Sequence, residues 1–128
     1  MWFHFRQNNT GGSFIRNNDV EINVFIEADT PEIANYKALD VGIYFEGVSK
    51  GRDCDCCGDR WCEVDEWEKV DRIPPSYFKR DDLNKSIFYY KNGEKTYGKH
   101  LKIRSILTHV ERPFVSPYTQ ESRRLELL

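Results

Sequence analysis

The chain has no apolar run approaching the roughly 20 residues that span a bilayer, which excludes a membrane-spanning helix. Its start, Met1-Trp2-Phe3-His4-Phe5-Arg6, lacks the basic opening and long apolar stretch of a secretory signal. The expectation is a soluble protein with no membrane partner, kept inside the cell that makes it, where thiols stay reduced. Repeats and low-complexity tracts are missing too, which removes repeat architectures. Catalytic signatures are also absent. No two of the three histidines stand in H-x-x-x-H spacing, and no Ser or Cys lies in a nucleophile-elbow context. Carboxylates are abundant, but no general acid and base can be assigned among them. The sequence predicts a protein that binds, not an enzyme.

What is present fits one domain. A chain of 128 residues is of ordinary single-domain size, and 39% hydrophobic with 14% aromatic residues is too apolar for a disordered chain. Net charge is −2, unevenly spread. Eight acidic residues lie between Asp53 and Asp71 against Arg60 and Lys69, and eight basic ones between Lys79 and Arg104 against Asp81, Asp82 and Glu94. Two solvated segments lying against each other account for this; an electropositive anion-binding face is the alternative.

Residues 2–7 and 13–16 read as strands around the turn Asn8-Asn9-Thr10-Gly11-Gly12. Val20, Ile22, Val24 and Ile26 then alternate with Glu21, Asn23, Phe25 and Glu27, the period of a half-buried strand. Together these predict an antiparallel meander. Thr30-Pro31-Glu32 opens a helix, with Thr30 as cap and Pro31 at its first position. Ile33, Ala34, Tyr36, Ala38, Leu39 and Val41 give it an apolar face, and Gly42 ends it. Ile43-Tyr44-Phe45 reads as a short strand, and 61–70 as extended. Residues 87–97 form a hairpin, Asn92-Gly93 suiting the two positive-φ positions of a type I′ turn. Leu101 to Val110 leans to helix. The fold class is α+β: an antiparallel sheet with one or two helices on one face, in a domain over 1–112 with a peripheral segment 113–128.

All four cysteines fall within Cys54-Asp55-Cys56-Cys57-Gly58-Asp59-Arg60-Trp61-Cys62. Cys54, Cys57 and Cys62 have C-x-x-C and C-x4-C spacing, but the second pair that a structural zinc needs is missing. His4, His100 or His109 could complete such a site; Cys56, beside Cys57, fits it poorly. Partly buried structural thiols are the simpler reading. The loop Arg6 to Ser13 offers amides, hydroxyls and two glycines that let backbone approach an anion, although a plain turn explains it as well. Phe88, Tyr89, Tyr90 and Tyr97 beside Lys91, Lys95, Lys99 and Arg104 mix stacking faces with phosphate partners; core packing is the competing account.

Two stretches, Phe5-Arg6-Gln7-Asn8-Asn9-Thr10-Gly11-Gly12-Ser13-Phe14 and Gly42-Ile43-Tyr44-Phe45 running into Cys54 to Trp61, resemble a family of small accessory proteins of tailed bacteriophages. The resemblance covers about the first half of the chain. It implies action in the cytoplasm of an infected bacterium and a role such as counter-defence. Anti-Thoeris and anti-CBASS proteins that sequester nucleotide signals as oligomers are one kind. In that role Arg6, Asn8, Asn9, Gly11, Gly12, Arg16, Arg60 and Arg104 would contact a small nucleotide, with Phe88 or Tyr90 stacking, in a homo-oligomer without turnover. The alternatives are an interaction module, zinc-stabilised or not, whose acidic segment binds a host protein, and a single-strand nucleic-acid binder using residues 79–104.

Overall fold

The computed structural model describes residues 1–100. The expected helix from Leu101, the segment beyond Pro113, Arg104 and His109 lie outside the described residues. The fold is α+β, a five-stranded mixed sheet with two helices. Its strands are β1 (Trp2–Arg6), β2 (Asn23–Glu27), β3 (Lys69–Val70), β4 (Ser86–Tyr89) and β5 (Lys95–Tyr97). Their order across the sheet is β3-β1-β2-β4-β5. Helix α1 spans Pro31–Asp40 and the single-turn α2 spans Arg80–Leu83.

The expected meander does not form. Residues 13–16 stay outside the sheet, and β1 pairs directly with β2, Phe3 opposite Ile26 and Phe5 opposite Val24. The cause is Gln7. Its buried side chain donates to the carbonyls of Ile15 (3.0 Å) and Glu21 (3.2 Å) and accepts from the Ile15 amide (2.6 Å). Residues 8–19 are thereby tied as a loop. The sheet is also not wholly antiparallel, because β2 and β4 run parallel, Val24 beside Ile87 and Phe25 beside Phe88. A parallel pair needs a long crossover; here residues 28–85 supply it.

That topology buries β2 on both faces, although its sequence alternates like a half-exposed strand. On one face Phe3, Phe5, Val24, Ile26 and Ile87 pack with Ala34 and Ala38 of α1, Phe45 and Trp61. The other face carries a ladder of rings across three strands. His4 stacks on Phe25 at 4.3 Å, and Phe25 on Phe88 at 4.8 Å. Phe78 meets both His4 and Phe25 edge-on.

Helix α1 starts where expected, the Ile33 amide donating to the Thr30 hydroxyl at 3.1 Å. Its buried stripe is narrower than its sequence: Pro31, Ala34 and Ala38 are covered, while Ile33, Tyr36 and Leu39 are exposed. Residues 43–45 form no strand; Ile43 and Phe45 enter the core from a loop. The hairpin β4–β5 forms with a different turn. Gly93 (φ 96°) has positive φ and Asn92 does not, the Gly93 amide closing onto Tyr90 at 3.0 Å. This is a type I turn followed by a left-handed glycine. Among the described residues no helix is long and apolar enough to cross a membrane.

Candidate functional site

The two motif-bearing loops, far apart in sequence, lock together. The Asn8 amide donates to the Arg60 carbonyl at 2.8 Å. The Asn8 side chain donates to the carbonyls of Cys57 (2.8 Å) and Asp59 (3.1 Å), and the Thr10 hydroxyl to that of Gly58 (2.8 Å). Arg60 is the bolt. Its guanidinium donates to the Tyr44 hydroxyl, the Gln7 side-chain oxygen and the carbonyls of Ser13 and Thr10, all within 3.1 Å. Beneath it the fully buried Asp53 side chain accepts from the Tyr44 hydroxyl (2.6 Å) and the Arg60 amide (2.8 Å), 3.8 Å from the guanidinium. Tyr44 is accordingly held above its ordinary pKa, by burial first and then by hydrogen bonding to Asp53. A buried polar network holds together when nearly every member is satisfied, and this one leaves Arg60 little to offer a ligand.

The other candidate ligand residues are dispersed. Arg6 is exposed at the end of β1 and donates to Asn23 at 3.3 Å. Arg16 pairs with Glu21 at 2.8 Å. Asn9, Gly11 and Gly12 are exposed on the loop, both glycines at positive φ with open space where a Cβ would lie. Phe88 is wholly buried in the ring ladder and cannot meet a ligand, and Tyr90 is half-buried, edge-on to Trp2 at 5.2 Å. None of them lines the cleft between β3 and residues 75–77.

An open cleft of about 500 Å³ lies on the other face of the sheet, between β3 and residues 75–77. None of its walls is among the ligand-contact residues read from the sequence, and His4, weighed there only as a zinc ligand, lines this cleft instead. Trp67 is 88% exposed on one side and Tyr77 66% exposed on the other. Trp67 is displayed by a braced turn. The Trp67 amide donates to the Asp65 carboxylate at 2.9 Å, and the Asp65 amide to the Glu68 carboxylate at 2.7 Å, a capping box on the single turn Glu66–Glu68. Lys69, Arg72 and Asp71 add charge of both signs to the lining. Arg72 is half-buried, and burial lowers its pKa. His4 reaches the cleft from β1 with its Nε2 2.8 Å from the Asn23 side-chain oxygen. Burial pulls its pKa down, the Asn23 hydrogen bond opposes this, and Arg6 lowers it further. At neutral pH the imidazole is neutral, Nε2–H donating to Asn23. The cleft was hidden in the sequence because Trp2↔Val70 pairing assembles it across most of the chain.

The cysteines form a third feature. The sulfurs of Cys54, Cys56 and Cys57 lie within 4.8 Å of one another, Cys54 to Cys56 at 2.9 Å and Cys56 to Cys57 at 3.8 Å. Cys62 is exposed and outside this group, so the Cys54, Cys57 and Cys62 set does not assemble, and Cys56 joins instead. The reason is local. The amides of Cys57 (3.2 Å) and Gly58 (3.0 Å) both donate to the Cys54 carbonyl, curling the turn so that neighbouring thiols converge. Hydrogen bonding from Cys56 holds Cys54 below its ordinary pKa, while Cys56 is itself pushed up to about 11.

No curated protein and no solved structure matches this chain. One family does match, over residues 1–105, and so takes in β1, both interlocked loops, the cleft and the cysteine turn. The chain belongs to the family described as Domain of unknown function (DUF7296).

Proposed function

We propose that the protein is a non-enzymatic binding domain that sequesters a small nucleotide-type signal in the cleft between β3 and residues 75–77. The observation carrying this reading is the pair of exposed aromatic faces, Trp67 and Tyr77, set beside Lys69 and Arg72. Indole and phenol rings stack on bases, a contact worth about 1–3 kcal/mol per base, and the two cations suit a phosphate. The mixed lining also suits a base: Asp71 can accept from exocyclic amines. Sequestration needs affinity without turnover, and nothing in the cleft demands a reaction.

The motif resemblance to small tailed-phage proteins supports a setting in the cytoplasm of an infected bacterium and a counter-defence role, with a cyclic ADP-ribose-like molecule or a cyclic oligonucleotide as the sequestered signal. Homo-oligomerisation belongs to that reading, since such pockets are often shared between copies. The test is calorimetric titration of the full chain with cyclic dinucleotides, cyclic trinucleotides and cyclised ADP-ribose, with chromatography of the ligand afterwards. The expected result is saturable binding, quenched Trp67 fluorescence, unaltered ligand, and a loss of about 10-fold or more in Trp67→Ala. Recovery of a converted product would overturn sequestration in favour of catalysis. No binding by any of these, together with capture of a host protein that Trp67→Ala abolishes, would make the same aromatic pair a protein-docking hot spot.

A further inference from the structure

The cysteine turn lies in the interlocked loops, apart from the cleft, and has its own chemistry. Three sulfurs converge on one side of a five-residue turn, and all four cysteines of the chain are free thiols. A single ion bound through sulfur at about 2.3 Å in tetrahedral geometry holds its ligands roughly 3.8 Å apart. Cys56 and Cys57 already stand at 3.8 Å, and the Cys54 sulfur, 2.9 Å from Cys56 and within 4.8 Å of Cys57, lies near the third corner. The turn that presents them is fixed from outside: Asn8 holds the Cys57 carbonyl and Thr10 the Gly58 carbonyl. The donor atoms are therefore gathered before any ion arrives.

We propose that Cys54, Cys56 and Cys57 form a tri-thiolate site for one thiophilic d10 cation, Zn²⁺ or Cu⁺. Soft thiolates select these ions over Mg²⁺ or Ca²⁺. Cu⁺ accepts three sulfurs alone. Zn²⁺ takes a fourth donor, which solvent supplies because Cys56 and Cys57 are exposed. Bound metal adds free energy to the folded state by linkage and stiffens the 54–57 turn, which Asn8 and Thr10 already tie to the 7–13 loop. Cys62 takes no part.

The experiment uses the full chain, reduced and metal-free, titrated separately with Zn²⁺, with Cu⁺ under a competing chelator, and with Co²⁺ as a spectroscopic stand-in for zinc. One ion per chain is expected, with thiolate-to-cobalt charge transfer and a raised melting temperature. Alkylation followed by mass mapping should find Cys54, Cys56 and Cys57 protected and Cys62 modified. Cys56→Ser should weaken binding by about 10-fold or more, while Cys62→Ser leaves it within error; melting of both metal-free variants checks that each still folds. A preference for Cu⁺ supports the three-coordinate form and a preference for Zn²⁺ the solvated four-coordinate one. Absence of charge transfer and of stoichiometric binding overturns the site. So does a Cys62→Ser loss equal to that of Cys56→Ser, which returns the ligands to the Cys54, Cys57 and Cys62 set.

Discussion

Arg60 concentrates more of the molecule's wiring than any other single side chain described. It joins the 7–13 loop to Tyr44 and Asp53 from a nearly solvent-free position, and the Asp53 side chain under it is fully buried. Removing one member of such a pair leaves an uncompensated buried charge, at a cost of about 3–5 kcal/mol. Arg60→Met should therefore lower the unfolding free energy by an amount in that range, read from urea unfolding curves followed by tryptophan fluorescence. Adding Asp53→Asn to it should recover part of the loss, because no charge is then stranded; strict additivity of the two would argue that the pair is not coupled. Gly47 belongs to the same knot, since a Cβ there would collide with the Asp53 carboxylate and the Tyr44 ring. Cleft and knot thus differ in kind. Trp67 projects into solvent for something else to touch, whereas Arg60 is spent on the protein itself.

Helix α1 was legible because its signals are local. The cap at Thr30, Pro31 behind it and Gly42 at φ 107° lie within a few residues of α1 and mark both its ends. Thr30→Ala should accordingly cost about 1 kcal/mol, read as a shift of the thermal midpoint, with Thr30→Ser recovering most of it; an unchanged midpoint would mean that packing of Ala34 and Ala38 alone sets the helix start. Signals that depend on remote partners misled. Residues 13–16 look like a strand, but the Gln7 side chain takes up the Ile15 amide and carbonyl that strand pairing would have used. The parallel β2–β4 pairing is invisible in either strand alone, yet it decides that Phe25 and Phe88 are core rather than ligand-facing. The cysteine cluster was legible as a cluster. Which three thiols converge depends on the curl of one turn, and C-x4-C spacing pointed to Cys62 where the backbone instead delivers Cys56.

At the scale of the whole molecule, the ring ladder couples stability to pH through His4. The imidazole is sandwiched between β1 and the rings of Phe25 and Phe78, with Asn23 on Nε2 and the Arg6 guanidinium close by. Its folded pKa lies below the ordinary value near 6.5, so as pH falls the unfolded chain takes the proton first. The stabilisation is whole above the unfolded pKa. It is lost as pH falls through about 6.5 towards the folded pKa. Asp29, held low by Lys91, has the same sign but acts only below its ordinary carboxylate range, outside that window. Thermal midpoints should therefore drop between pH 7.5 and 5.5 in the native chain. The drop should be clearly smaller in His4→Gln, which keeps a donor for Asn23 but cannot charge. Whatever stability the glutamine loses with the ring stack is common to both pH values and cancels in the comparison. Equal drops in the two proteins would place the acid sensitivity elsewhere and leave His4 as a packed ring of the ladder with no titration of consequence.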